Sequence, residues 1–408
     1  MDAINQASLP SQTDSPSPEP RSLPVDFTGS TAEYFRIWIV NVLLTLATFG
    51  VYWAWAKVRT RRYFYANTLL DGQAFDYLAK PAIILKGHLI LFGVLVLLQF
   101  AEGFSQQLSS SLVGVGMCLL PYLIYKAHRF KTINSAYRNI RFKFLGSRAG
   151  AYQSYGLLPF FGVLILLANG ISISMGLPVA TLNETAVEAD PMAGLIPLAI
   201  FMVLGLIIYP YFVYLQQAYF HGNIAYGGIK SRFTGRTCPY HMIYLRATFV
   251  GAISFIGLMV LVTIFIPSVT ALMSSAGQIT SASFDPKEAA FFVLSLAAML
   301  VVIAIVNQYL YAKKLNYSWN NTSLGGMTFR FSLEVPDLIW IRLSNLVLSF
   351  LSLGLLIPWA RVRRARYILS RIEVSMPAGI DDIRAVSISD EDALGDTAAD
   401  FFDWEIGW

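Results

Sequence analysis

Two runs of cations carry the most specific chemistry in this chain. Lys57, Arg59, Arg61 and Arg62 follow Trp55, and Arg361, Arg363, Arg364 and Arg366 follow Trp359. Both sets lie at helical spacing just beyond an apolar segment. Basic groups so placed attract anionic lipid headgroups by about 1 kcal/mol per charge. The plainer reading is that they only set topology. A free basic face for nucleic acid is not expected, because the charges alternate with aromatic membrane anchors.

Other polar groups are sparse. Glu102 ends an apolar segment and is either a proton or cation site or a solvated helix end. Asn169, Asn307 and Gln308 lie inside apolar segments, where amides join helices or, less commonly, line a path. His88, His128, His221 and His241 show no ligand spacing, and Cys118 and Cys238 lie far apart in the chain. No metal, cofactor or disulfide is expected from them. There is no phosphate-binding glycine loop, serine elbow or paired-histidine zinc helix. Enzymatic activity is therefore not expected.

The elements that hold these groups are membrane-like. Of the 408 residues 55% are hydrophobic and only 13% are charged, against about 25% charged in soluble domains. Eight apolar segments lie near 35–55, 82–101, 110–126, 156–175, 194–216, 246–273, 289–311 and 338–359. The links at 56–81, 126–153, 217–246 and 312–337 are rich in Lys and Arg, and those between them are poor. The positive-inside rule makes the rich links cytoplasmic.

The two chain ends break this alternation. Eight crossings would place "ARVRRARY" (360–367) outside, against its charge. "NVLLTLATFGVYWAWAKVRTRRY" (41–63) also aligns without gaps on "NLVLSFLSLGLLIPWARVRRARY" (345–367). Either all eight segments cross, or the first and last turn back at Gly50 and Gly354. The charge pattern favours the second. A second repeated pattern places Asn67, Asn223 and Asn321 five residues before the glycine that closes a turn, at Gly72, Gly228 and Gly326. Asp71-Gly72 and the two Gly-Gly pairs, flanked by alternating aromatics, signal β-hairpins.

The expected fold is thus an all-α polytopic membrane protein with six spanning helices, two repeat-related re-entrant helical modules and short cytoplasmic β-hairpins. Residues 1–24 read as a disordered tail, 25–375 as the membrane domain with internal repeats, and 376–408 as an acidic, partly ordered tail.

The run Trp55–Arg59, Arg62–Tyr65, Asn67-Thr68 and Asp71-Gly72 resembles the signature of the YjgN family of bacterial inner-membrane proteins. The likeness covers roughly residues 25–375. It implies a multi-pass protein of the cytoplasmic membrane and carries no established activity. The long acidic C-terminus departs from the family. With both ends cytoplasmic, two functions are expected in order. One is a transporter- or channel-like role between the spans. The other is a non-catalytic scaffold or lipid-interacting factor whose partners are anionic headgroups.

Overall fold

The computed structural model describes residues 21–157, 191–265 and 286–376. Ten strands and ten helices alternate in one pattern along them: strand, helix, helix, strand. The first unit is β1 (Arg21–Phe27), α1 (Thr31–Ala47), α2 (Trp53–Ala66) and β2 (Thr68–Leu70). The second is β3 (Gln73–Tyr77), α3 (Pro81–Phe104), α4 (Gln106–Ile133) and β4 (Ser135–Tyr137). The third is β5 (Ile140–Phe144), α5 (Arg148–Tyr155), α6 (Pro191–His221) and β6 (Ile224–Tyr226). The fourth is β7 (Ile229–Phe233), α7 (Thr237–Phe265), α8 (Pro286–Asn320) and β8 (Thr322–Leu324). The fifth is β9 (Met327–Phe331), α9 (Val335–Leu351), α10 (Ile357–Ser370) and β10 (Ile372–Met376).

The strands close into an antiparallel barrel, which overturns the all-α expectation. Four two-residue turns join consecutive units: Asp71-Gly72, Arg138-Asn139, Gly227-Gly228 and Gly325-Gly326. Both residues of each turn have positive φ, between 49° and 88°. That is the mirror-image turn whose twist matches paired strands. At Arg138-Asn139 two side-chain-bearing residues accept the left-handed region, and Asn does so most readily after Gly. The barrel is sealed by its ends, with Leu23 opposite Val374 and Val25 opposite Leu70. Residues 21–24, expected in a disordered tail, therefore lie in a strand.

Each unit repeats one clasp. A backbone N–H just past the unit's first strand donates to the carbonyl just before its last strand. The pairs are Thr28–Asn67 (3.0 Å), Leu78–Asn134 (2.9 Å), Leu145–Asn223 (2.8 Å), Thr234–Asn321 (2.9 Å) and Ser332–Arg371 (3.0 Å). The Asn67, Asn223 and Asn321 amides each donate to a carbonyl one turn back, at Tyr63, Tyr219 and Tyr317. This satisfies carbonyls that the ending helix leaves without partners.

Period-two alternation sorts the barrel walls. Leu23, Val25, Phe75, Ile140, Phe142, Met327, Phe329 and Val374 join one interior cluster with Leu70, Tyr137, Tyr226 and Leu324. The intervening Asp26, Asp76, Arg141, Lys143, Lys230, Arg232 and Arg330 do not belong to it.

Four helices among the described residues are long and apolar enough to cross a membrane: Pro81–Phe104, Gln106–Ile133, Thr237–Ile264 and Ala289–Asn320. That is four rather than the six expected. The segment at 156–175 lies almost wholly outside the described residues. The first and last apolar segments are helical hairpins. In both, a 17-residue helix is followed by a 14-residue one. At 1.5 Å per residue the longer arm spans only about 26 Å, short of the ~30 Å hydrocarbon core. Gly50 (φ +93°) and Gly354 (φ +89°) make the turns after Phe49 and Leu353. These tips are apolar and open: Phe49 is 99% exposed and Leu353 94%.

Candidate functional site

The residue-level differences between the two hairpins locate the site. Asn41 and Asn345 hold their hairpins shut in the same way, donating to the Ala56 carbonyl at 3.3 Å and the Ala360 carbonyl at 3.1 Å. A fixed offset in the chain then makes Trp38 the counterpart of Arg342, Thr60 of Arg364, Lys57 of Arg361 and Arg61 of Ala365.

In the second hairpin the cations surround a cavity of about 370 Å³ between α8, α9 and α10. Its walls include Gln308 from α8, Ile341, Arg342, Asn345 and Ser349 from α9, and Ile357, Arg361 and Arg364 from α10. Arg361 donates to the Tyr34 hydroxyl at 2.9 Å, which ties α10 to α1. Arg364 lies over the Tyr311 ring, 5.2 Å from its centroid. Among the described residues no carboxylate pairs with Arg342, Arg361 or Arg364. The acids of this region, Glu334 and Asp337, pair instead with Arg371 at 2.8 and 3.2 Å.

Three guanidinium groups around one cavity without a counter-charge produce a positive potential, and the partly apolar walls screen it poorly. An anion with several oxygens is the ligand that relieves it. Arg matches such oxygens with paired N–H donors.

The neighbouring face is also basic and aromatic. Trp340, Trp359, Arg363 and Arg366 line an open cleft of about 400 Å³, with Asp337 and Thr31 also in its walls. Arg363 donates to Ser344 Oγ at 2.7 Å and lies 5.0 Å from the Trp359 ring centroid. Arg366 donates to the Gly29 carbonyl at 3.1 Å.

The first hairpin spends three of its cations, Lys57, Arg61 and Arg62, on the scaffold. Arg61 is buried, 7% exposed, and donates to the Tyr77 hydroxyl at 2.8 Å while lying over the same ring. Arg62 donates to the carbonyls of Tyr77 (3.2 Å) and Ala79 (3.3 Å) at the end of β3. The Lys57 ammonium sits 5.3 Å from the Trp53 centroid. Trp55 and Arg59 face outward.

The remaining expected residues scatter. Glu102 is exposed at the end of α3, and Asn307 is exposed beside the buried Gln308. Asn169 lies outside the described residues. The structure therefore brings together Gln308, Arg361 and Arg364, and adds Arg342 and Asn345, which the sequence reading passed over. Arg342 had left a signal: it is an arginine inside an apolar segment, where ionisable groups are rare and functional.

Comparison with known proteins places the chain. The family model described as "Bacterial protein of unknown function (DUF898)" matches residues 22–401. A protein of Salmonella typhimurium called inner membrane protein YjgN is 26% identical over 85% of this chain and 87% of its own length. The Escherichia coli K12 protein of the same name is 24% identical over 82% of this chain and 84% of its own. No solved structure matches. The match spans the barrel, all five helix pairs and the basic cavity, and the chain accordingly belongs to the DUF898 family of bacterial proteins of unknown function.

Proposed function

We propose that this protein is a multi-pass inner-membrane protein that binds anionic lipid headgroups in the Arg342–Arg361–Arg364 cavity, without catalysis. The carrying observation is the set of three guanidinium groups around one cavity with no carboxylate partner among the described residues.

The topology supports this reading. Every helix pair leaves the barrel and returns to it, so both ends of the barrel domain share one side. By the positive-inside rule the basic links at the barrel support a cytoplasmic position for that side. Phe49, Leu353 and their apolar neighbours suit immersion in the near leaflet. Trp340, Trp359 and Tyr311 suit the headgroup level, which is where the cavity then lies. Transport of a polar solute through the barrel is the weaker reading, because its lumen is lined mainly by aliphatic and aromatic side chains.

The test is lipid binding by the full chain. Protein released from detergent in a native mass spectrometer should retain phosphatidylglycerol more strongly than phosphatidylcholine. The double variant Arg342→Gln/Arg364→Gln should lose that preference. Equal retention of both lipids by the unaltered protein would reject the proposal.

A further inference from the structure

The barrel interior holds a second cavity, of about 380 Å³, that the headgroup reading does not use. An eight-stranded barrel is either filled by its own side chains or holds one small ligand, and the bore widens as strands are added. Ten strands close this one, and the space lies within the ordinary range for ligand sites.

Its chemistry is selective. The walls are mainly aliphatic and aromatic, and each wall hydroxyl is already spent. Thr68 donates to the Phe64 carbonyl at 2.8 Å, Thr322 to the Ser318 carbonyl at 2.7 Å and Ser231 to the His221 carbonyl at 2.6 Å. The Tyr137 and Tyr226 hydroxyls donate across the barrel to the carbonyls of Leu70 (2.8 Å) and Tyr137 (3.0 Å). Beyond the Trp319 indole and the hydroxyl lone pairs a polar occupant would find few hydrogen-bond partners there, whereas an apolar one loses nothing.

One charged group touches the space. Arg138, in the turn between β4 and β5, lines the end of the cavity remote from the helices. Its guanidinium meets Asp71 at 2.8 Å, and Arg21 approaches the same carboxylate at 3.6 Å. Two cations thus flank one anion at this end.

We infer that the barrel is a binding site for a single-chain anionic amphiphile of the fatty-acid class. The hydrocarbon chain fills the lumen, and the carboxylate rests at Arg138. This rests on the barrel's own walls and is independent of the headgroup cavity.

Photolabelling tests it. The full-length protein, in lipid nanodiscs, is exposed to palmitic acid carrying a mid-chain diazirine, and the labelled peptides are mapped. Label on the β1, β2 and β10 peptides that hold Val25, Leu70 and Val374 is the expected result. Excess unmodified palmitic acid should suppress it. Filling the lumen with Val25→Trp should lower that label about tenfold. Leu324→Phe, a smaller insertion, serves if the first variant loses its circular dichroism or elutes as aggregate. Arg138→Ala should also reduce label, and Arg342→Gln/Arg364→Gln should leave it unchanged. Label confined to α3, α4, α7 and α8 would overturn the inference. So would lumen label that survives both filling variants.

Discussion

The two short hairpins have one backbone and two uses. Both turn at a glycine with φ near +90°, and both are pinned by an asparagine that donates to an alanine carbonyl on the returning helix. In α1–α2 the deep cation is Arg61, which is buried and donates to the Tyr77 hydroxyl. In α9–α10 that position is Ala365, and the extra cations Arg342 and Arg364 stand where the first hairpin has Trp38 and Thr60. Backbone geometry is thus set by the shared turn and clasp. Whether a hairpin is scaffold or site depends on where its surplus charge can find a partner.

The largest expected effect tests the scaffold side. Arg61→Met removes the buried, charge-assisted hydrogen bond to the Tyr77 hydroxyl and should cost about 2–3 kcal/mol of stability. Arg364→Met should cost no more than about 0.5 kcal/mol. Thermal unfolding in one detergent measures both, and equal losses would erase the distinction between the hairpins.

Next is the site side. Arg342→Gln/Arg364→Gln removes two charges and should weaken anionic-lipid binding by about 2 kcal/mol, roughly thirtyfold. Arg59→Gln should change it little. The difference should shrink as ionic strength rises, and a salt-independent loss would point to altered packing instead.

The shared backbone predicts equal, smaller losses at the two turns. Gly50→Ala and Gly354→Ala should each cost about 1 kcal/mol, since a side chain at positive φ is strained. A much larger loss at one turn would show that the hairpins differ in backbone as well as in side chains.

The smallest effect is one of pH. Burial raises the pKa of Tyr63 and Tyr367 above the usual 10.0, and Glu33 and Asp337 add to the rise. Folding therefore favours the neutral phenols. That stability is complete below about pH 10 and is lost as pH climbs through the raised values. Alkaline unfolding curves should flatten slightly, and to a similar extent, in Tyr63→Phe and Tyr367→Phe.

Local features were legible in the chain. Asp71-Gly72 and the Gly-Gly pairs mark turns because only certain residues tolerate positive φ. Gly50 and Gly354 mark the hairpin breaks for the same reason. Arg138-Asn139 escaped because neither residue is glycine. Arg361 and Arg364 stood out as charge beside an apolar run. Arg342 lies inside that run, and nothing in its neighbours reveals which helix face meets α8.

The amino-acid sequence by itself determined the two short helical hairpins, three of the four turns, the basic runs and the membrane character, all of which follow from propensity, periodicity and composition over short windows. Only the tertiary structure decided that isolated hairpins become one closed barrel, since β1 and β10 pair from opposite ends of the described chain. It also decided which arginines are spent on partners and which face a cavity. Both outcomes depend on contacts between residues far apart in sequence, and no short-range pattern records those.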